Sequence, residues 1–167
     1  PFAAEAQTAA AVTEAVKAEV GEVPISVKLA PNVPSVGRIA RAVVEAGADA
    51  ITAVNTMPGM VIDADAGRSV LSNRVGGISG PALKPIALRC VAEIARAVDV
   101  PVIGTGGMMS GRDAAEMLMA GATAVGVGTA VWYRGVTALG EIASELATFL
   151  SQHGYPSLAS IRGLALH

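Results

Sequence analysis

The chain has 167 residues, is 52% hydrophobic but only 3% aromatic, and carries 19 glycines and a net charge of −2. That length suits one domain with a sizeable core, and the Ala/Val-rich composition suits buried parallel strands covered by Ala-rich helices. The charge balance, with no run of Lys or Arg, argues against nucleic acid or an anionic membrane as partner, and no apolar run approaches the roughly 18 residues of a membrane span.

No signal-peptide pattern is visible, and the single cysteine, Cys90, excludes an internal disulfide. Both fit a reducing, cytoplasmic setting. The chain opens Pro1-Phe2 rather than with Met, so a truncated start is expected.

In chain order, residues 3–20 show helical spacing (Ala11, Val12, Ala15, Val16) and stop at Gly21. Val23–Leu29 reads as a strand whose end carries Lys28. Ser35 caps a helix running to Ala46, Gly47 stops it, and Ala50–Val54 is the next strand. The connection over 55–80 is too long for an ordinary βα link. Within it, Met60–Ala64 and Arg68–Ser72 read as short strands around a hairpin at Asp65-Ala-Gly67, and a loop of this size is a lid or a partner surface. A helix over 82–98 follows, then a buried strand Val100–Ile103, a helix over 113–120 capped by Ser110, the Gly121 stop, a strand Ala122–Gly128, and a helix over 136–152.

Two segments repeat. Glu22-Val-Pro-Ile matches Asp99-Val-Pro-Val at an offset of 77, and Ala46-Gly-Ala-Asp-Ala matches Ala120-Gly-Ala-Thr-Ala at 74. The unit strand–helix–strand–helix is therefore present twice. Such alternation gives a parallel sheet with right-handed crossovers. A doubly wound open sheet is the rival, but a tandem repeat favours a rotationally repeating barrel. Four strands alone would expose two apolar parallel edges. The expected fold is α/β: the C-terminal half (βα units 5–8) of a (β/α)8 TIM barrel, preceded by helix 4, with residues 1–167 as one domain fragment.

Barrel sites lie at the C-terminal strand ends. Here those ends offer Lys28, Asn55 with Thr56, Gly104–Gly107 and Gly126–Thr129, and the long connection adds Gly76-Gly-Ile-Ser-Gly80. Two neighbouring strand ends stripped of side chains suggest one phosphate held by backbone N–H groups between them, although such glycine turns also serve as plain βα links. Lys28 is either a snorkelling rim lysine or a cation that stabilises negative charge on a bound ring or phosphate. Asn55 is either a turn residue or a donor and acceptor for an amide- or imide-bearing ligand. Cys90 reads as inert packing, His153 and His167 receive no role, and no metal-ligand spacing or Ser/His/Asp set is seen.

Five motifs, in order and spacing, resemble the dihydroorotate dehydrogenase family, and within it the class 1B catalytic subunits: Val27-Lys-Leu-Ala-Pro-Asn32; Asn55-Thr56 with Gly59-Met60; Gly76-Gly-Ile-Ser-Gly-Pro-Ala82 leading to Lys84-Pro-Ile-Ala-Leu-Arg89; Ile103-Gly-Thr-Gly-Gly107; and Val127-Gly-Thr129. The resemblance implies a (β/α)8 barrel with FMN on the strand ends. It implies that Lys28 lies beside the flavin ring, that Val54 and Gly80 contact FMN, that Asn55 and Thr56 hold the orotate ring, and that Gly106, Gly107, Gly128 and Thr129 bind the FMN phosphate. The implied reaction oxidises dihydroorotate to orotate in pyrimidine (UMP) biosynthesis, with a proton leaving C5 and a hydride passing from C6 to flavin N5. Implied partners are the N-terminal barrel half and an electron-transfer subunit with FAD and an iron–sulfur cluster, NAD being the final acceptor. A homo-oligomer is also expected.

The sequence departs from the family in several places. The catalytic cysteine base of class 1 belongs upstream of Pro1, and Cys90 does not match it. The first four strands are absent, so the fragment alone is expected to be inactive. Ala30 stands where class 1B usually has Ser, and Met108-Met109 extends the phosphate turn. The rival readings are the pyrimidine-reducing domain of a dihydropyrimidine dehydrogenase, which shares the Asn-Thr and Gly-Gly-x-Ser-Gly motifs, and a non-catalytic half-barrel scaffold.

Overall fold

A computed structural model describes residues 5–167. Helix α1 (Ala6–Val20) ends at Gly21, whose φ of 59° suits glycine and whose N–H returns to Lys17 O at 3.0 Å; positions 3 and 4 of the expected helix lie outside the described residues. Strand β1 (Ser26–Leu29) starts only after Pro24, which has no N–H for a ladder. Helix α2 (Val36–Glu45) has the expected cap: Ser35 Oγ accepts from Arg38 N–H at 3.3 Å and donates to Glu93 Oε1 at 2.9 Å. Strand β2 spans Ala50–Ala53.

The long connection forms two antiparallel pairs, β3 (Met57–Gly59) with β6 (Gly76–Ile78) and β4 (Ile62–Asp63) with β5 (Arg68–Ser69). The inner hairpin was expected, shorter than read. Asp63 Oδ1 closes its turn by accepting from the N–H groups of Asp65 and Ala66. The outer pair was missed, because Met-Pro-Gly and Gly-Gly-Ile have no strand-like alternation.

A 3₁₀ turn over Pro81–Leu83 leads into α3 (Lys84–Ala95). Strand β7 is Val102–Thr105, two residues later than read: Pro101 cannot donate, and pairing continues through the glycine because Val54 N–H bonds Thr105 O at 2.9 Å. Then come α4 (Gly111–Met119), β8 (Ala124–Gly126), α5 (Thr129–Arg134), α6 (Ala138–Gln152) and α7 (Leu158–Ile161). Gly135, at φ 83°, separates α5 from α6. Neither α5 nor α7 was read from the sequence, since each is too short to show a helical period.

The main sheet is wholly parallel, in the order β1-β2-β7-β8. These are four consecutive βα strands in chain order, and the tandem repeat is written into their backbone bonds. Ala48 N–H bonds Val43 O at 3.0 Å, as Ala122 N–H bonds Met117 O at 3.1 Å, after Gly47 (φ 100°) and Gly121 (φ 106°). The two next residues differ but do the same work. Asp49 Oδ2 accepts from Ile25 N–H at 2.8 Å, and Thr123 Oγ1 from Val102 N–H at 3.3 Å, each holding the start of the preceding strand.

Strand alternation divides the sheet. Leu29, Ile51, Ala53, Val102 and Gly104 face a core built with Val36, Ile39 and Val43 of α2, Val91 and Ile94 of α3 and Met117 of α4. Gly104 is required there, because a Cβ would lie 2.4 Å from Met117 Cγ. The opposite face carries Ser26, Lys28, Thr52 and Thr105, all exposed or half-buried, with Ser26 Oγ and Thr52 Oγ1 hydrogen-bonded at 2.8 Å. Parallel sheets are ordinarily covered on both faces; this one is covered on one.

Candidate active site

At the C-terminal ends of the four strands, a cleft of about 150 Å³ gathers residues distant in sequence. Every expected site residue lines it: Lys28, Val54, Asn55, Thr56, Gly80, Gly106, Gly107, Gly128 and Thr129. So do Ser79, Leu83, Thr105, Met108 and Gly126. Thr105 Oγ1 donates to Gly126 O at 3.1 Å, tying the last two strand ends together. Met108, noted in the sequence only as an unusual extension of the turn, is 2% exposed and forms part of the floor. Such ligand clefts usually measure about 300–1,000 Å³, so these walls enclose a partial site.

The glycines differ in what they do. Gly107, at φ 77°, sits where three segments meet: a Cβ would lie 2.6 Å from Lys84 N and 2.9 Å from Gly80 O. Gly106 has φ 130°, and its Cβ would lie 2.9 Å from Ala87 Cβ. Gly128 has ordinary negative φ, and a Cβ there would meet nothing within 4 Å. Gly77, on the returning strand β6, makes room for Thr56, whose Oγ1 would be 2.1 Å from a Cβ.

The backbone N–H groups of Gly106, Gly107, Met108, Gly128 and Thr129 donate to no acceptor among the described residues. Gly107 and Met108 are buried, Gly106 and Thr129 half-buried, and Gly128 exposed; the four unpartnered N–H groups that are not exposed are costly unless a ligand or water takes them. Five around one cleft make a set of fixed donors suited to an anion. Among the described residues no carboxylate lines the cleft.

Around Asn55 the backbone fixes which chemistry is offered. Its N–H bonds Leu29 O at 2.8 Å, and its Oδ1 accepts from Thr56 N–H at 2.9 Å. One lone pair of the side chain's acceptor is thus used locally, while the NH₂ and the second lone pair face the cleft as donor and acceptor. Lys28 makes no ion pair or hydrogen bond among the described residues, although the chain's other cleft-adjacent lysine does. That one, Lys84, stands behind the turn. It donates to Asp113 Oδ1 at 2.5 Å and Glu116 Oε2 at 2.8 Å, and Asp113 Oδ2 in turn accepts from Met109 N–H at 3.0 Å and Ser110 Oγ at 2.9 Å. Burial pushes the Asp113 carboxyl up, but the bonds from Lys84, Ser110 and Met109 outweigh it and hold the group below its usual range. The bonds to Asp113 and Glu116 raise the Lys84 ammonium above its ordinary value.

The remaining candidates are structural. Cys90 is fully buried, and burial pushes its thiol up, away from reactivity. His153 Nδ1 lies 2.8 Å from Phe149 O, and its ring stacks on Phe149 at 4.2 Å. Among the described residues there is no cluster of metal-ligating side chains, and no helix is long and apolar enough to cross a membrane.

Tandem βα units with a parallel four-stranded sheet and a donor-lined cleft at the strand C-termini define an α/β protein. The chain belongs to the dihydroorotate dehydrogenase family, whose model matches residues 2–150. It is 46% identical over 155 residues to the dihydroorotate dehydrogenase B (NAD(+)) catalytic subunit of Pyrococcus horikoshii, covering 93% of this chain and 51% of that protein. To the same-named subunit of Methanosarcina mazei it is 50% identical over 155 residues, covering 93% and 49%. To the dihydroorotate dehydrogenase A (fumarate) of Lacticaseibacillus paracasei it is 53% identical over 146 residues, covering 87% and 50%. The chain spans about half the length of these curated relatives.

Proposed function

We propose that this chain is the flavin-holding half of a (β/α)8 dihydroorotate dehydrogenase, one that oxidises dihydroorotate to orotate in pyrimidine biosynthesis. The observation that carries the reading is the set of five unpartnered N–H groups from two strand ends in one cleft. They fit the phosphate of FMN, and the family membership supports that ligand over other phosphates. The open polar face of the sheet and its two unpaired edges support a second half completing the barrel, with residues 1–167 as one domain fragment.

In this reading Gly106, Gly107, Gly128 and Thr129 hold the phosphate, while Val54 and Gly80 form the wall beside the ring. FMN, when bound, supplies the acceptor for the hydride leaving C6 of dihydroorotate. Asn55 donates its NH₂ to a pyrimidine carbonyl, and Thr56, held in place over Gly77, supports the same ring. Lys28, with no carboxylate to neutralise it among the described residues, stabilises the negative charge that reduction leaves beside it. The base that removes the C5 proton comes from the other half. The B (NAD(+)) catalytic-subunit names support a partner subunit with NAD as final acceptor; in this reading that partner carries FAD and an iron–sulfur cluster, and the assembly is homo-oligomeric and cytoplasmic. The similarity to a fumarate-type enzyme supports a second reading, in which the polypeptide reduces fumarate without that partner.

The test is Gly128→Val in the full-length protein. Its Cβ meets no protein atom beyond its chain neighbours within 4 Å, so the fold is expected to survive while the added side chain occupies the cleft. The wild type is expected to purify yellow and to bleach with dihydroorotate, and the variant to purify without flavin at unchanged thermal stability of the flavin-free form. A variant that retains stoichiometric FMN overturns the phosphate assignment. Fumarate reduction by the lone polypeptide decides between the two acceptors.

A further inference from the structure

Charged side chains outside the cleft converge on the turn that joins β7 to α4. Arg134 closes α5, the helix that begins directly after Gly128. Its Nη1 donates to Met109 O at 2.7 Å, and its Nη2 to Glu145 Oε1 at 2.6 Å and Glu141 Oε2 at 2.8 Å. Glu145, on α6, uses its other oxygen to accept from Gly111 N–H at 2.7 Å. One guanidinium–carboxylate pair therefore grips the backbone on both sides of Ser110. The approach is close: a Cβ on Gly111 would lie 2.2 Å from Leu146 N.

Arg134 lines no part of the cleft, yet it joins both of its anion-facing ends. Through α5 it is continuous with Gly128 and Thr129, and through Met109 O it holds the turn that presents Gly106, Gly107 and Met108. We propose that Arg134, acting with Glu145, is a positioning residue that fixes the spacing of these two donor sets and so sets the cleft's preference for a phosphorylated ligand. The proposal rests on the reading of the cleft as a phosphate site. Charge-assisted bonds of this kind are short and geometrically specific. Donors already held in place spare the ligand the cost of ordering them, and that saving falls on the phosphate alone.

The test compares FMN with riboflavin, which lacks the phosphate, by titration against flavin-free full-length protein. Arg134→Met and Glu145→Gln are each expected to lower the ratio of FMN to riboflavin affinity at least about tenfold, the worth of one charged hydrogen bond. Arg134→Lys, a single ammonium in place of a fork, recovers only part of it. Arg112→Met is the control, since Arg112 is 77% exposed and only 3.9 Å from Glu116, without touching the turn; its ratio stays at the wild-type value. Equal weakening of both ligands, or of neither, overturns the positioning role, and Glu145→Gln carries the test if Arg134→Met does not fold. A wild type that binds both flavins equally overturns the phosphate reading itself, and this inference with it.

Discussion

Gly107 and Gly128 line one cleft and invite the same substitution, but the structure demands opposite outcomes. At Gly107 an alanine must adopt φ 77°, which costs about 1–2 kcal/mol for an L-residue. Its Cβ would also stand 2.6 Å from Lys84 N and 2.9 Å from Gly80 O, both backbone atoms that cannot swing aside. Overpacking of that kind costs about 1–3 kcal/mol. Against these stands about 0.4–1 kcal/mol gained by stiffening the unfolded chain. The net loss is about 1–5 kcal/mol, a large part of the roughly 5–15 kcal/mol that holds a domain folded. At Gly128 nothing beyond its chain neighbours lies within 4 Å of the Cβ, so no overpacking cost arises. Urea denaturation of flavin-free full-length protein measures both. We expect Gly107→Ala to lower the midpoint by about 1.5 M, a mid-range loss of about 3 kcal/mol over a slope of about 2 kcal/mol/M, and Gly128→Ala to leave it nearly unchanged. Equal destabilisation by the two would refute the reading that packing excludes a Cβ at Gly107 and tolerates one at Gly128.

Lys28→Ala, in the completed enzyme, is expected to slow flavin reduction by dihydroorotate at least about a hundredfold while FMN stays bound, since a preorganised charge of this kind contributes about 3–4 kcal/mol; stopped-flow bleaching reads it, and a near-normal rate returns Lys28 to the ordinary rim lysines. The Lys84–Asp113 pair gives stability a pH signature. Asp113 titrates lower folded than unfolded, so its contribution is complete above about pH 3.9 and is lost as pH falls through the folded value. Lys84 titrates higher folded, so its contribution is complete below about pH 10.4 and is lost as pH rises through the folded value. Asp113→Asn should therefore flatten the acid limb of stability in denaturation between about pH 2 and 6, and an unchanged limb would show the pair to be idle.

Much of the scaffold was legible in the chain itself. Helix stops at Gly21, Gly47 and Gly121, caps at Ser35 and Ser110 and the parallel strand order follow from local backbone preference and from a tandem repeat, both of which act over a few residues. The motif glycines and Lys28, Asn55 and Thr56 were legible as strand-end residues for the same reason, and the structure brings all of them to one cleft. Tertiary packing decided the rest. It selected strand limits around Pro24 and Pro101 and paired Met57–Gly59 with Gly76–Ile78 across a long gap. It also separated two glycines that read alike, because a Cβ at Gly107 meets backbone from a distant turn and a Cβ at Gly128 meets none. The grip of Arg134 on Met109 O spans 25 residues and has no periodic signature. A sequence pattern encodes what each residue prefers by itself, whereas contacts of that kind exist only once remote segments share a space.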